Sequence, residues 1–286
     1  MEVRAHAKLN LTLDVLGRRP DGYHDLRMVM QSVALADVLT LEESGDGELR
    51  VRTNLHFLPN NEKNLAAQAA LRWWEARGQV PRGLEITIEK SVPVCAGMAG
   101  GSSDAAAVLR ALNQMEGAPL SLREVAKIGE RVGSDVPYCI LGGTALAEGI
   151  GEKLTPLPPL PPCHILIAKP DISVSTKYVY EHLDANGLEA HPDIDGMVQA
   201  IRDGSLRGVL ERMANVLETV TVPAHPVIAD IKARMRELGA ADSLMSGSGP
   251  TVFGIFRQED RKLAEAALEQ FGQEDLAGQA FLTTPV

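Results

Sequence analysis

Basic charge is what this chain lacks most: 28 Lys and Arg stand against 38 Asp and Glu, a formal net charge of −10 over 286 residues. A duplex nucleic-acid binder needs a basic footprint to displace counterions, so that class is excluded. An anionic ligand must be met locally, by helix N-termini, backbone N–H groups or a metal ion. Cysteine is scarce too. Cys95, Cys139 and Cys163 are odd in number and far apart, which fits neither a disulfide framework nor a paired metal-binding spacing and predicts a reducing, cytoplasmic setting. No apolar run approaches the roughly 18 residues of a membrane span, and Met1 to Lys8 lack the apolar stretch of a secretory signal, so no membrane association is expected. The H-E-x-x-H, paired Cys/His and G-x-S-x-G patterns are missing as well, which removes the usual anchors of hydrolases and of a structural metal.

What is present is an ordinary globular composition of 45% hydrophobic and 23% charged residues, with a length that predicts two domains. From Leu9 to Val15, apolar Leu9, Leu11, Leu13 and Val15 alternate with polar Asn10, Thr12 and Asp14, the period of a strand whose polar face carries Lys8 and Asn10. Same-face neighbours lie about 7 Å apart, within reach of one ligand. Further strands are predicted at 33–41, 49–53, 84–90 and 138–148. Helices are predicted over 64–77, over 103–115 and, opened by the capping box Ser121 to Glu124, as far as Val132. The proline-rich stretch from Thr155 to Pro162 is stiff and unable to join a sheet interior, so the domain boundary is expected there, dividing 1–154 from 163–286. After it follow a strand at 164–168, a helix opened by Ser175, helices near 195–202, 206–220 and 226–238, a strand at 251–256 and a helix over 259–271. Intermingled strands and helices of this kind predict an α+β fold.

The segment Pro93-Val94-Cys95-Ala96-Gly97-Met98-Ala99-Gly100-Gly101-Ser102-Ser103 joins a strand to a helix through glycines, so that consecutive N–H groups and a helix N-terminus can converge on phosphate oxygens. It is neither a Walker A loop nor a dinucleotide fingerprint, and the bland alternative is a tight turn with a capped helix. A second glycine-rich segment, Ser246-Gly247-Ser248-Gly249-Pro250, adds weight, although alone it reads as a hairpin turn. Asp135 follows a helix stop at Gly133, a junction that suits either a functional carboxylate or a turn cap. Lys8 is by default a solvated strand lysine. Tyr23 and His24 follow a turn and suit either stacking on a planar base or packing on the surface.

Together, Ala7-Lys8-Leu9-Asn10-Leu11, Pro93 to Ala106 and Ser246 to Phe253 resemble the three motifs of the GHMP kinases, named for galactokinase, homoserine kinase, mevalonate kinase and phosphomevalonate kinase. The likeness spans nearly the whole chain, with Met98 where the family usually has Leu and with Cys95 and Ala96 in place of glycines. The segments Asp21 to Leu26 and Gly133 to Pro137 narrow it to members acting on a cytidine diphosphate alcohol in isoprenoid precursor biosynthesis. The resemblance implies a two-domain α+β GHMP kinase fold with the active site in the interdomain cleft, ATP and Mg²⁺, no partner beyond small molecules, and a monomer or weak homodimer. It implies Asp135 as catalytic carboxylate with Lys8 as its partner, and the loop Pro93 to Ser103 with Asn64 and Lys90 around ATP. On the cytidine side it implies Asn10, Tyr23, His24 and Tyr180, the last preferred over Tyr178. Ser102 and Asp104 are candidate Mg²⁺ ligands. The alternatives are another GHMP kinase acting on a small alcohol or sugar and a catalytically silent nucleotide-binding module.

Overall fold

The computed structural model describes residues 1–185, 187–188 and 190–286. Its elements, in chain order, are β1 (Glu2–Arg18), β2 (His24–Glu43), β3 (Leu49–Thr53), α1 (Leu65–Ala76), β4 (Leu84–Glu89), α2 (Gly100–Met115), α3 (Leu122–Gly129), α4 (Val136–Leu141), β5 (Thr144–Gly149), β6 (Lys153–Pro156), β7 (Cys163–Lys169), α5 (Thr176–His182), α6 (Ile194–Arg202), α7 (Leu206–Leu210), β8 (Ala214–Asn215), α8 (Glu218–Ala224), α9 (Val227–Glu237), β9 (Asp242–Met245), β10 (Val252–Arg257), α10 (Arg261–Gln273) and β11 (Gln279–Thr283). The fold is α+β, as the sequence predicts. Two compact units divide it: Met1–Ala7 with Leu35–Val94 and Ala99–Gly142, and Lys8–Ala34 with Cys95–Met98 and Gly143–Val286. The division follows no single cut, and the proline-rich stretch lies within the second unit. The reason is the length of β1 and β2, 17 and 20 residues, which lets each contribute to both units.

In the first unit, β3 runs parallel to β4 from Leu49 against Leu84 to Thr53 against Ile88, and β4 pairs antiparallel with the second half of β2. The alternation of Leu84, Ile86 and Ile88 buries all three, as the period of two demands. Helix α1 is opened by Asn64, whose side chain accepts from the Ala66 N–H, and it buries Trp73 and Trp74. Burial of a side chain this size stabilises by roughly 3 kcal/mol, and the Trp73 indole N–H finds Glu116 Oε1 at 3.2 Å. Small residues Ala105, Ala106 and Ala107 let α2 pack closely among its neighbours α1, α3 and α4. The capping box at Ser121 and Glu124 forms as predicted.

In the second unit, β5 pairs antiparallel with the first half of β2 and with β6, and β8 runs parallel to β1 at Thr12 against Ala214. A separate antiparallel sheet, in the order β11-β7-β10-β9, is covered by α9 and α10. Val252 to Phe256 are buried on both faces of β10.

Two predicted elements and one expected exposure differ. The strand expected at 138–148 is a helix, α4, followed by β5. Val136, Tyr138, Cys139 and Ile140 are buried among α2 and α3, Pro137 sits in the first turn where its missing N–H costs nothing, and Gly142 and Gly143 take positive φ to end the helix. The helix expected over 206–220 breaks after Leu210, because the Asn215 amide donates to Met245 O at 2.9 Å and Gly247 O at 2.8 Å and draws its backbone into β8. The polar face of β1 is not solvated: Lys8, Asn10, Thr12 and Asp14 are all buried.

Candidate active site

In the second unit, Lys8 and Asn10 sit side by side on β1. The Lys8 ammonium donates to Asn10 Oδ1 at 2.7 Å, and the Lys8 backbone N–H donates to Met98 O at 3.1 Å. The Asn10 backbone N–H points at Ser246 Oγ, 3.4 Å away, and that hydroxyl donates to Gly97 O at 3.0 Å. Ser246 therefore ties the two glycine-rich segments together beside Lys8. The approach is close enough to require glycine: Gly97 has φ +71, and a methyl on it would lie 2.2 Å from Ser246 O. Lys8 is only 6% exposed. An ammonium carries three donors, and among the described residues Asn10 is its one side-chain acceptor. A desolvated cation held by a single neutral group is costly, and an anionic ligand would offset that cost.

Also in this unit, the His24 ring stacks on Tyr180 with centroids 5.2 Å apart and planes 29° apart. Tyr178 turns instead to His182, at 3.8 Å. Burial first, and the Arg18 charge second, lower the His24 pKa, so its imidazole is neutral at neutral pH. Tyr23 is 61% exposed in the turn before β2, its N–H held by Asp21 Oδ1 at 3.1 Å. Ser248 meets Thr176 Oγ1 at 2.8 Å and so connects the second glycine-rich segment to α5, the helix of Tyr180.

In the first unit, Ala99 adopts φ 56 as the residue before α2, and no side chain caps that helix. No side chain caps the amides of Gly100, Gly101 and Ser102, an arrangement that can receive water or an anion. A methyl on Gly133 would lie 3.9 Å from Ser102 Oγ, so the turn that precedes Asp135 borders the first turn of α2. Asp135 opens α4, is half-buried, and its carboxylate caps no helix N–H, which removes the turn-cap alternative.

Three predicted residues have their polar atoms engaged by the protein. Asn64 uses Oδ1 to cap α1 and Nδ2 to reach Pro59 O at 2.8 Å. Ser103 Oγ donates to His6 O at 2.6 Å. The Lys90 ammonium lies between Asp37 and Asp104, at 2.7 Å from the latter. Burial pushes the Asp104 carboxyl up to about 7, opposed by Lys90 and reinforced by Asp37. Desolvation lowers the pKa of Lys90, and the two carboxylates outweigh it and raise it. Asp104 does not fit a Mg²⁺ ligand: it is 4% exposed, one oxygen is on Lys90, and the other is buried without a partner, beyond the waters that Mg²⁺ keeps. Among the described residues no group of three or more His, Cys, Asp or Glu could hold a metal, and no helix is long and apolar enough to cross a membrane.

Sequence reasoning missed Asp37, Asn215 and Thr176. Asp37 had a readable signal, a lone acid inside the apolar run from Val33 to Leu41, where a buried carboxylate needs a cation. Asn215 and Thr176 act through contacts with residues far along the chain and carry no local pattern.

Family models match in two places, the GHMP kinases N terminal domain over residues 64–143 and GHMP kinases C terminal over 197–274. A protein of Lachnospira eligens named 4-diphosphocytidyl-2-C-methyl-D-erythritol kinase is 51% identical over 96% of this chain and 95% of its own length. One of the same name from Lachnoclostridium phytofermentans is 49% identical over 99% and 96%. Among solved structures, the crystal structure of 4-(cytidine 5'-diphospho)-2C-methyl-D-erythritol kinase matches with a TM-score of 0.82 at 35% identity, covering 100% of this chain and 99% of that one. Homoserine kinase from Cytophaga hutchinsonii has the same fold, with a TM-score of 0.78 at 20% identity, covering 100% of this chain and 94% of that one. With both family models matched and relatives of this identity spanning nearly all of its length, the chain belongs to the GHMP kinase family.

Proposed function

We propose that this kinase transfers the γ-phosphoryl group of ATP, taken as its magnesium complex, to the 2-hydroxyl of 4-diphosphocytidyl-2-C-methyl-D-erythritol, giving the 2-phosphate and ADP. The names of relatives about half identical over nearly the full length support this acceptor. The observation that carries the chemistry is the buried Lys8 ammonium with one neutral partner beside Gly97 and Ser246. The amides from Gly97 to Ser102 hold the ATP phosphates. Asp135 accepts the proton of the tertiary hydroxyl as its oxygen bonds to phosphorus and the β,γ-bridging bond breaks. Lys8 offers its remaining donors to the negative charge that develops. Asn10, Tyr23, His24 and Tyr180 receive the cytidine, the neutral His24 ring and Tyr180 supplying flat faces for the base.

Single-turnover incubation with γ-labelled ATP is expected to move label to the cytidyl alcohol, and CMP is expected to inhibit it. Transfer to homoserine or mevalonate, with none to the cytidyl compound, would sink the acceptor assignment.

The loop has its own test. Cys95 is exposed, Cys139 and Cys163 are buried, and burial pushes the Cys163 thiol up to about 12. Iodoacetamide is therefore expected to label the native protein at Cys95 alone, and saturating ADP to slow it about tenfold through occlusion of the thiolate. Labelling at an unchanged rate with ADP bound would remove Cys95 from the nucleotide loop.

A further inference from the structure

We propose that Asp37, Lys90 and Asp104 are positioning residues for the nucleotide phosphates, a buried ionic staple that clamps both ends of the segment from Pro93 to Ser103 and so sets the direction of its amides. The proposal rests on the kinase reading above and names groups that act on the nucleotide only through that loop.

At the loop's entry, Asp37 Oδ1 on β2 accepts from the backbone N–H groups of Ser91 at 2.6 Å and Val92 at 2.8 Å. At its exit, Asp104 lies in the second turn of α2, just past the amides offered to phosphate. Lys90, directly after β4, joins the two carboxylates, and all three side chains are nearly sealed from solvent, at 4%, 0% and 6% exposure for Lys90, Asp37 and Asp104. The ammonium sits beneath the first residue of α2: a methyl on Gly100 would lie 3.5 Å from Lys90 Nζ and 3.2 Å from a Val92 methyl. Three elements and both loop ends therefore meet at one nitrogen.

Stability alone does not call for such a group. Buried ion clusters can often be replaced by apolar side chains of similar volume without loss, and their best-attested use is to fix one geometry among several. A loop that binds through backbone amides needs that service, because a small rotation of those N–H groups forfeits the phosphate. The cluster is also one cation short. Two carboxylates share one ammonium, and Asp104 is the one whose second oxygen has no partner.

The test is nucleotide binding by calorimetry in EDTA, which removes any contribution of a metal to the comparison. With Asp104→Asn at pH 8.5, ADP affinity is expected to weaken about tenfold while adenosine affinity stays within about twofold, since only the phosphates read the loop. Asp37→Asn keeps an oxygen for the Ser91 and Val92 amides and is expected to give the same ADP-selective loss, so the proposal stands or falls even if one variant is poorly folded. ADP affinity that is unchanged or tighter at pH 8.5, or ADP and adenosine weakened equally, overturns the staple while leaving the kinase reading intact. A wild-type protein that binds adenosine and ADP equally weakly overturns both.

Discussion

Turnover of Asp135→Asn is expected to fall about a thousandfold, with affinity for ADP kept within about twofold of wild type. Asparagine preserves the shape of the side chain and cannot take the proton of the acceptor hydroxyl. The rest of the molecule has little reason to notice. The carboxylate caps no amide of α4 and pairs with no described cation, so stability should stay within about 0.5 kcal/mol. Single-turnover phosphoryl transfer and ADP titration together check the assignment. A parallel loss of ADP affinity would make Asp135 part of the loop's framework, given that the preceding turn borders Ser102.

Gly97→Ala is expected to be nearly as damaging for a different reason. The residue has φ +71, and the new methyl would lie 2.2 Å from Ser246 O and 3.2 Å from Gly249 O, backbone atoms that cannot swing aside like a flexible side chain. The left-handed conformation costs a non-glycine residue about 1–2 kcal/mol, and forced overlap typically adds about 1–3 kcal/mol. Unfolding in urea should therefore show a loss of about 2–5 kcal/mol, and turnover should fall by more than about a hundredfold as Gly97 and Ser246 separate. Gly272→Ala, on α10, is the control: nothing lies within 4 Å of its methyl, and no positive φ stands in its way. If both variants were equally mild, the close approach of the two segments would not be a requirement of the site.

Much of this was readable from residue order. The helix at Asn64, the capping box at Ser121, the alternation from Leu84 to Ile88 and both glycine-rich segments are local patterns, and each forms where its pattern lies. Elements decided by distant partners were misread. Tyr138 to Leu141, read as the start of a strand, is helical because burial among α2 and α3 overrides its local preference. Lys8, by default a solvated strand lysine, is buried instead. The family resemblance implied Lys90 around ATP, and its ammonium lies between Asp104 and Asp37, the latter a residue that only three-dimensional neighbourhood connects to it.

The termini of the second unit carry a consequence for how the protein can be made. Val33 bridges to Pro285, the Ala34 N–H donates to Thr284 O, and the Val286 N–H donates to Ser32 O. Lys8–Ala34 is thus closed by the segment after β11, some 250 residues later. Emerging from the ribosome, this early stretch must wait for residues 284–286 to be translated before these hydrogen bonds can form. A fragment cut at the proline-rich stretch would strand it with an open strand edge, a form prone to pair with other chains.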